Sequence, residues 1–97
     1  MYVVIFRAKV AKRDADYEDT VTRLRALAFE SFGCIDFVSM NEGEDEVTLS
    51  YWHDEDSIRK WKAHAEHLIA QQRSREQWYE SYVVQVAEIQ REYRFNQ

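Results

Sequence analysis

The sequence has no proline, only two glycines and a single cysteine among its 97 residues. Because proline and glycine are the residues that break helices and strands, the sequence contains few such breaks. Gly33 and Gly43 both fall where one helix or strand should end and another begin. The one cysteine, Cys34, excludes an internal disulfide bond and favours the reducing cytoplasm as the compartment. We expect Cys34 to be a small buried hydrophobe, because the sequence around it lacks the basic residues that activate a thiol.

Three further absences narrow the class of protein. No apolar run approaches the roughly 18–20 residues that span a bilayer, and the N-terminus does not fit a signal peptide, so we expect no membrane association. The net charge is −5, and the one local basic group, Arg59-Lys60-Lys62, lies among acidic residues, so we expect no nucleic-acid partner. The sequence also has no glycine-rich phosphate loop, no CxxC pair and no nucleophile triad pattern.

The residues that are present are typical of one small globular domain over 1–97, with 45% hydrophobic and 14% aromatic residues. Strand and helix patterns follow one another along the chain. The predicted strands are residues 2–10, 34–41, 46–53 and 77–92, and the predicted helices begin after Asp14 or Asp16 and after Asp54. This β-α-β-β-α-β order predicts a ferredoxin-like α+β fold with an antiparallel sheet and both helices on one face.

The breaks between these elements have recognisable signals. Gly33 should end the first helix, and Gly43 should form a tight turn between the second and third strands. The second helix is expected to bend or break near residues 63–64. We interpret the acidic runs 14–19 and 42–46 as solvated helix starts and turns.

The strands carry apolar residues on both faces, although side chains alternate across a strand. In the first strand, the two sets are Tyr2, Val4, Phe6 and Ala8 on one face and Val3 and Ile5 on the other. Two helices can cover only one face, and apolar side chains left in water forgo about 1.5–3 kcal/mol each. We therefore expect a homodimer in which the second sheet face meets a twofold-related copy. The alternative is that this face is a mildly apolar solvent surface.

Three segments of the chain resemble the antibiotic biosynthesis monooxygenase domain family, whose members are dimeric α/β-barrel proteins. The first is YVVIFRAKV at the start, and the last is the aromatic strand QWYESYVVQV. The most specific is the block GCIDFVSMNEGEDEVTLSYWHDEDSIRKWKAHAEH between them. Together they cover nearly the whole chain, which looks like the small, mostly uncharacterised single-domain bacterial members.

The resemblance implies a homodimer whose two sheets close into a barrel, with a pocket between the sheet and the helices of each subunit. Some relatives oxidise aromatic polyketides with dioxygen and no metal or flavin, some cleave haem, and others have no known activity. The family pattern places Trp61, His64 and His67 at the pocket mouth, with either histidine as hydrogen-bond partner or general base for a phenol. The alternative is that both histidines lie on the exposed side of an amphipathic helix.

A set of aromatic residues fits a pocket for a flat ligand. The expected substrate-binding residues are Phe6, Phe29, Tyr51, Trp52, Trp78 and Tyr82. The alternative is that these residues form core and dimer interface, since aromatic side chains dominate both. The three histidines do not form a convincing metal site, so we expect no metal and no cofactor.

Three functions remain open on the sequence alone. The first is a cofactor-independent monooxygenase-like enzyme that acts on a small aromatic or quinol-type substrate. The second is a non-catalytic dimer that binds a small ligand, which fits the lack of a pocket asparagine, since Asn41 lies near the hairpin turn. The third is haem handling. The haem-cleaving relatives use an asparagine on the first strand and a histidine about ten residues after the helix tryptophan. This chain has no asparagine on its first strand and has Gln71 ten residues after Trp61, so haem cleavage is disfavoured.

Overall fold

A computed structural model describes residues 1–70 and 75–97 of the chain. The elements in chain order are β1 (Tyr2–Val10), α1 (Ala15–Ser31), β2 (Asp36–Glu42), β3 (Asp45–Trp52), α2 (Glu55–Ala70), α3 (Arg75–Trp78) and β4 (Tyr79–Glu88). The strands form one sheet in the order β2-β3-β1-β4, and all neighbouring strands are antiparallel. The predicted ferredoxin-like α+β fold is confirmed.

The helix starts follow the predicted capping signals. Asp14 caps α1, because its carboxylate accepts a hydrogen bond of 2.8 Å from the backbone N–H of Tyr17. Asp54 caps α2 in the same way, through a 2.7 Å bond from the backbone N–H of Ser57. The expected bend or break near residues 63–64 is not a break, because α2 is continuous and Ala65 retains the backbone donor that a proline would lack.

Glycine ends two elements as the sequence indicates. Gly43 begins the two-residue turn between β2 and β3 with a φ of +59°, a left-handed value that favours glycine. Gly33 follows α1 with a φ of +76°, after which the Cys34 amide donates a 3.0 Å hydrogen bond to the Ala28 carbonyl. The second strand begins at Asp36, two residues later than predicted, because this reversal precedes it.

The last strand is shorter than predicted at both ends. Residues 75–78 are helical, and β4 covers Tyr79–Glu88 in place of 77–92. Two hydrogen bonds hold Trp78 away from the strand. The Ala11 backbone N–H donates to the Trp78 carbonyl at 2.8 Å, and the Trp78 indole N–H donates to the Asp14 carboxylate at 3.2 Å. Trp78 is consequently buried beside the start of α1.

The two faces of the sheet have different surroundings. Even-numbered residues of β1 and β3 face the helices, and the core on that side contains Ala28, Cys34, Trp52 and Ile58. The opposite face, which we call the open face, has no helix over it in the described parts of the chain. Its apolar residues are Val3, Ile5, Val38, Met40, Val47, Leu49, Tyr51 and Val83. Within the described segments, no helix is long and apolar enough to cross a membrane.

Candidate functional site

One aromatic cluster fills the space between β3 and the adjacent ends of the two long helices. Trp52 is fully buried, and its indole N–H donates a 2.9 Å hydrogen bond to the Ser50 hydroxyl. The Trp61 ring centroid lies 6.0 Å from that of Trp52 and 5.7 Å from that of Phe32. The His64 ring lies 5.3 Å from Phe32. Trp61 and His64 are therefore half-buried packing partners as well as candidate pocket residues.

A second aromatic cluster lies on the same sheet face, near the start of β4. Phe6 contacts Tyr79 edge-on at 5.5 Å and stacks on Tyr82 at 5.6 Å. Tyr79 also lies 5.8 Å from Tyr82 and 6.0 Å from Tyr17. These separations are those of packed aromatic pairs, so the rings form one continuous group from α1 to β4.

The helix-facing residues of β4 form an apolar surface that the described helices leave uncovered. Tyr82 is 63% exposed, Val86 47% and Val84 39%. Val4 and Phe6 of β1 pair with Val86 and Val84 and lie beside them on this face. We call these five residues the β4 trough. It is open at the side of β4 and meets the tryptophan cluster through Val4, which packs against the core around Trp52.

A buried carboxylate lies beside the trough. Glu46 is 5% exposed, and it accepts a hydrogen bond from the Tyr17 hydroxyl. The expectation that the acidic run 42–46 is wholly solvated is wrong at this residue. Glu46 shares its strand face with Ser50 and Trp52, so its side chain points under α1.

Burial raises the pKa of the Tyr17 phenol, and its hydrogen bond to Glu46 raises it further. Burial also raises the pKa of Tyr79, with the nearby Glu46 charge adding to this effect. Both phenols therefore stay protonated throughout the neutral pH range. In its protonated form Tyr17 donates a hydrogen bond to the Glu46 carboxylate.

A separate open groove of about 410 Å³ lies against α1. Its described lining residues are Asp16, Asp19, Thr20, Thr22 and Arg23. None of these is aromatic, and all belong to one helix. This groove does not match a flat apolar ligand, so we take the β4 trough as the candidate site.

The structure brings some of the sequence-predicted residues together and separates others. Phe6 and Tyr82 belong to the trough. Trp52 and Trp61 belong to the core cluster against which Val4 of the trough also packs, and His64 contacts that cluster through Phe32.

The remaining predicted residues lie elsewhere. Tyr51 lies on the open face, because it pairs with Val3. Phe29 lies over the β2 side of the sheet, 6.5 Å from Phe37. Trp78 is buried against Tyr17 at 5.6 Å, and His67 is exposed in the last turn of α2.

Sequence reasoning missed the polar group beside the trough. Tyr17 carries no functional signal in the sequence, and Glu46 is expected to be solvated with the rest of the acidic run 42–46. One signal was available for Glu46, because even-numbered positions of β3 include the core residue Trp52. In the described residues, no group of three or more histidine, cysteine or acidic side chains is placed to hold a metal ion.

Three solved structures share this fold along nearly the whole chain. PA3566 from Pseudomonas aeruginosa superposes with a TM-score of 0.67 at 16% identity, covering 98% of this chain and 94% of that one. A candidate antibiotic biosynthesis monooxygenase from Chloroflexus aurantiacus J-10-fl gives 0.54 at 12% identity, covering 94% and 96%. A variant of MhuD, crystallised with two manganese protoporphyrin IX molecules per active site, gives 0.58 at 12% identity, covering 96% and 99%.

These likenesses confirm the fold of the family that the sequence resembles, and at such identities they extend no further. No family model matches the chain. The uncharacterized protein YqjZ of Bacillus subtilis (strain 168) is 36% identical over 97 residues, which cover 99% of this chain and 85% of that protein. The chain belongs to the same family as YqjZ, within the antibiotic biosynthesis monooxygenase fold.

Proposed function

We propose that this chain forms a homodimer that binds a small aromatic or quinol-type substrate in the β4 trough and oxidises it with dioxygen, without a cofactor. The observation that carries the proposal is the exposure of Tyr82, Val84 and Val86 on the side of the sheet that bears the helices. Side chains of this size gain about 1.5–3 kcal/mol each when they are fully covered. A flat apolar ligand is a suitable cover, because Phe6 and Tyr82 already present stacked rings.

The chemistry would fall to residues of α2. His64 is half-buried beside Trp61, and histidine accepts a proton near neutral pH. Removal of a phenolic proton by His64 or His67 makes the ring a stronger electron donor toward dioxygen. Trp61 would form the wall against which the ring is positioned. The deprotonated substrate would itself donate electrons to dioxygen, so this chemistry needs no metal or flavin.

The homodimer rests on the open face. Met40 is 59% exposed and Val83 46%, and both lie on this face with Val38 and Leu49. An exposed apolar sheet face of this kind marks an interface, and a twofold copy covers it with the same residues. The trough lies on the other face, so dimerisation and ligand binding would use different surfaces.

A second candidate function is ligand binding without catalysis. It is favoured by the packing of His64 against Phe32, which occupies one ring face of the proposed base. Haem handling is a weaker third candidate. The likeness to MhuD extends only to the fold. The sequence also lacks an asparagine on the first strand and a histidine ten residues after Trp61, the two residues that the haem-cleaving relatives use.

The test is oxygen uptake by the metal-free protein with a panel of phenols and quinols, including naphthohydroquinone. We expect turnover with some of these compounds. It should fall in Tyr82→Ala, which removes one of the two stacked rings of the trough, and in His64→Gln, which removes the proposed base. Tyr93→Ala is the matched control, because it truncates a tyrosine that is 87% exposed and belongs neither to the trough nor to the open face.

The outcomes separate the three candidates. Naphthohydroquinone binding that depends on Tyr82 without any oxygen uptake would assign the non-catalytic function. A Soret shift on haem titration, followed by loss of that band under reductant, would favour haem handling instead. Failure of every panel compound to bind would overturn the trough as a ligand site.

A further inference from the structure

A buried phenol–carboxylate pair lies next to the trough and has no role in the function proposed above. Tyr17 is 3% exposed and Glu46 is 5% exposed. Among the side chains that the structure describes, those of residues 1–69 and 77–97, no lysine or arginine forms a salt bridge with Glu46. A buried carboxylate without a cation is costly, and the Tyr17 hydroxyl is the hydrogen-bond donor that compensates it here.

A continuous chain of aromatic rings leads from this pair to the trough. The Tyr17 ring lies 6.0 Å from Tyr79, and Tyr79 lies 5.8 Å from Tyr82. The Phe6 ring contacts both Tyr79, at 5.5 Å, and Tyr82, at 5.6 Å. Tyr82 is the most exposed ring of the group. The chain therefore begins at a buried phenol with a base and ends at the ligand surface.

We propose that Tyr17 is a redox-active tyrosine that supplies one electron, through Tyr79 and Tyr82, to an aromatic radical bound in the β4 trough. The O–H bond of Tyr17 breaks, its proton moves to the Glu46 carboxylate, and its electron reduces the bound radical to the corresponding anion. Tyr17 is left as a neutral radical and Glu46 as a carboxylic acid. A small external reductant, such as a thiol or ascorbate, then supplies one electron to Tyr17, and Glu46 returns the proton.

The location of the electron donor follows from phenol chemistry. A phenol is oxidised readily only when its proton leaves with the electron, because the cationic radical is a very strong acid. Tyr17 has a carboxylate in hydrogen-bond contact for that proton. Burial also shields a Tyr17 radical from solvent and from other molecules, which prolongs its lifetime. Tyr82 lacks such shielding and would serve only as the point of entry.

The experiment uses the full chain and an added one-electron oxidant, so it needs no substrate and is independent of the monooxygenase proposal. Tris(bipyridine)ruthenium and persulfate are illuminated with the protein, the sample is frozen, and electron paramagnetic resonance records tyrosyl radicals. All samples carry Tyr93→Phe, because Tyr93 is 87% exposed and would otherwise contribute its own signal. We expect a long-lived tyrosyl signal from this background protein.

Two substitutions locate that signal. Tyr17→Phe should remove most of the long-lived signal, and Glu46→Gln should shorten its lifetime, because an amide accepts a hydrogen bond but not the proton. Tyr51→Phe, on the opposite sheet face, should leave the signal unchanged. A signal of the same size and lifetime in both Tyr17→Phe and Glu46→Gln would overturn the proposal. If Tyr17→Phe fails to fold, an unchanged lifetime in Glu46→Gln alone is sufficient to overturn it.

Discussion

Tyr51 and Trp52 are consecutive residues of β3, yet their side chains lie on opposite faces of the sheet. Trp52 is fully buried under the helices, whereas Tyr51 is half-buried on the open face beside Val3. The alternation that separates them also separates two apolar surfaces of the molecule. One surface meets the helices and includes the trough, and the other is the proposed dimer interface.

The dimer interface is tested by a charge placed on either side of one strand. Val83→Arg puts a second cation on the open face beside Arg7, and we expect it to convert the proposed dimer to a monomer, because two adjacent like charges are costly to bury between the sheets. Val84→Arg puts the same cation on the helix-facing side and should leave the dimer intact. Light scattering at micromolar concentration measures both. A monomeric parent protein, or dimers in both variants, would contradict the assignment of this face.

The tryptophan cluster predicts a large loss of stability on truncation. Trp52→Ala should lower the free energy of unfolding by about 3–5 kcal/mol, since it leaves a cavity in the core that its neighbours cannot fill. Tyr93→Ala, at a highly exposed position, should change it by less than about 0.5 kcal/mol. Urea unfolding of all proteins at one fixed concentration gives the comparison, because the proposed dimerisation would contribute to the measured stability. Equal losses in the two variants would argue against a core role for Trp52.

The α1 cap predicts a stability loss in acid. The backbone N–H of Tyr17 holds the pKa of Asp14 below its usual range, with Lys12 and the Trp78 indole also contributing. A carboxyl group whose pKa is lowered by folding stabilises the protein above its unfolded pKa of about 3.9, and that contribution is lost as the pH falls through the folded pKa.

Between about pH 5 and about pH 2, we expect Asp14→Asn to lose less stability than the parent protein. This pH range extends from just above the unfolded pKa of the carboxyl group to below its lowered folded pKa. Asparagine is the appropriate replacement because it also caps helices and does not titrate in this range. Thermal unfolding followed by circular dichroism at a series of pH values measures the difference. Parallel pH profiles for the two proteins would show that Asp14 does not contribute.

The single thiol should react slowly in the native protein. Cys34 is buried in the core cluster, and burial raises the pKa of its thiol, so little thiolate is present at neutral pH. We expect iodoacetamide to modify it rapidly in urea and far more slowly without denaturant. The matched control is Cys34→Ser combined with Ala26→Cys, which moves the thiol to an exposed position of α1. Mass spectrometry over time would contradict this expectation if the two native proteins reacted at the same rate.

Local signals in the sequence were sufficient for the elements and their order. Asp14 and Asp54 mark helix starts because a carboxylate there binds free backbone donors within the same turn. Gly43 marks the hairpin because a left-handed φ disfavours other residues. The departure of Trp78 from the last strand was not predictable, since its partners Ala11 and Asp14 are more than 60 residues away in the chain.

The sequence by itself determined the β-α-β-β-α-β order, the two-faced strands and the family, because caps, turns and side-chain alternation depend on near neighbours along the chain. Only the tertiary structure decided which acidic residue is buried and which apolar residues remain exposed. Glu46 is enclosed because α1 brings Tyr17 over it, and Tyr82 remains open because no described helix lies above that part of β4. Both facts depend on packing between distant segments, which the alternation of a single strand does not specify.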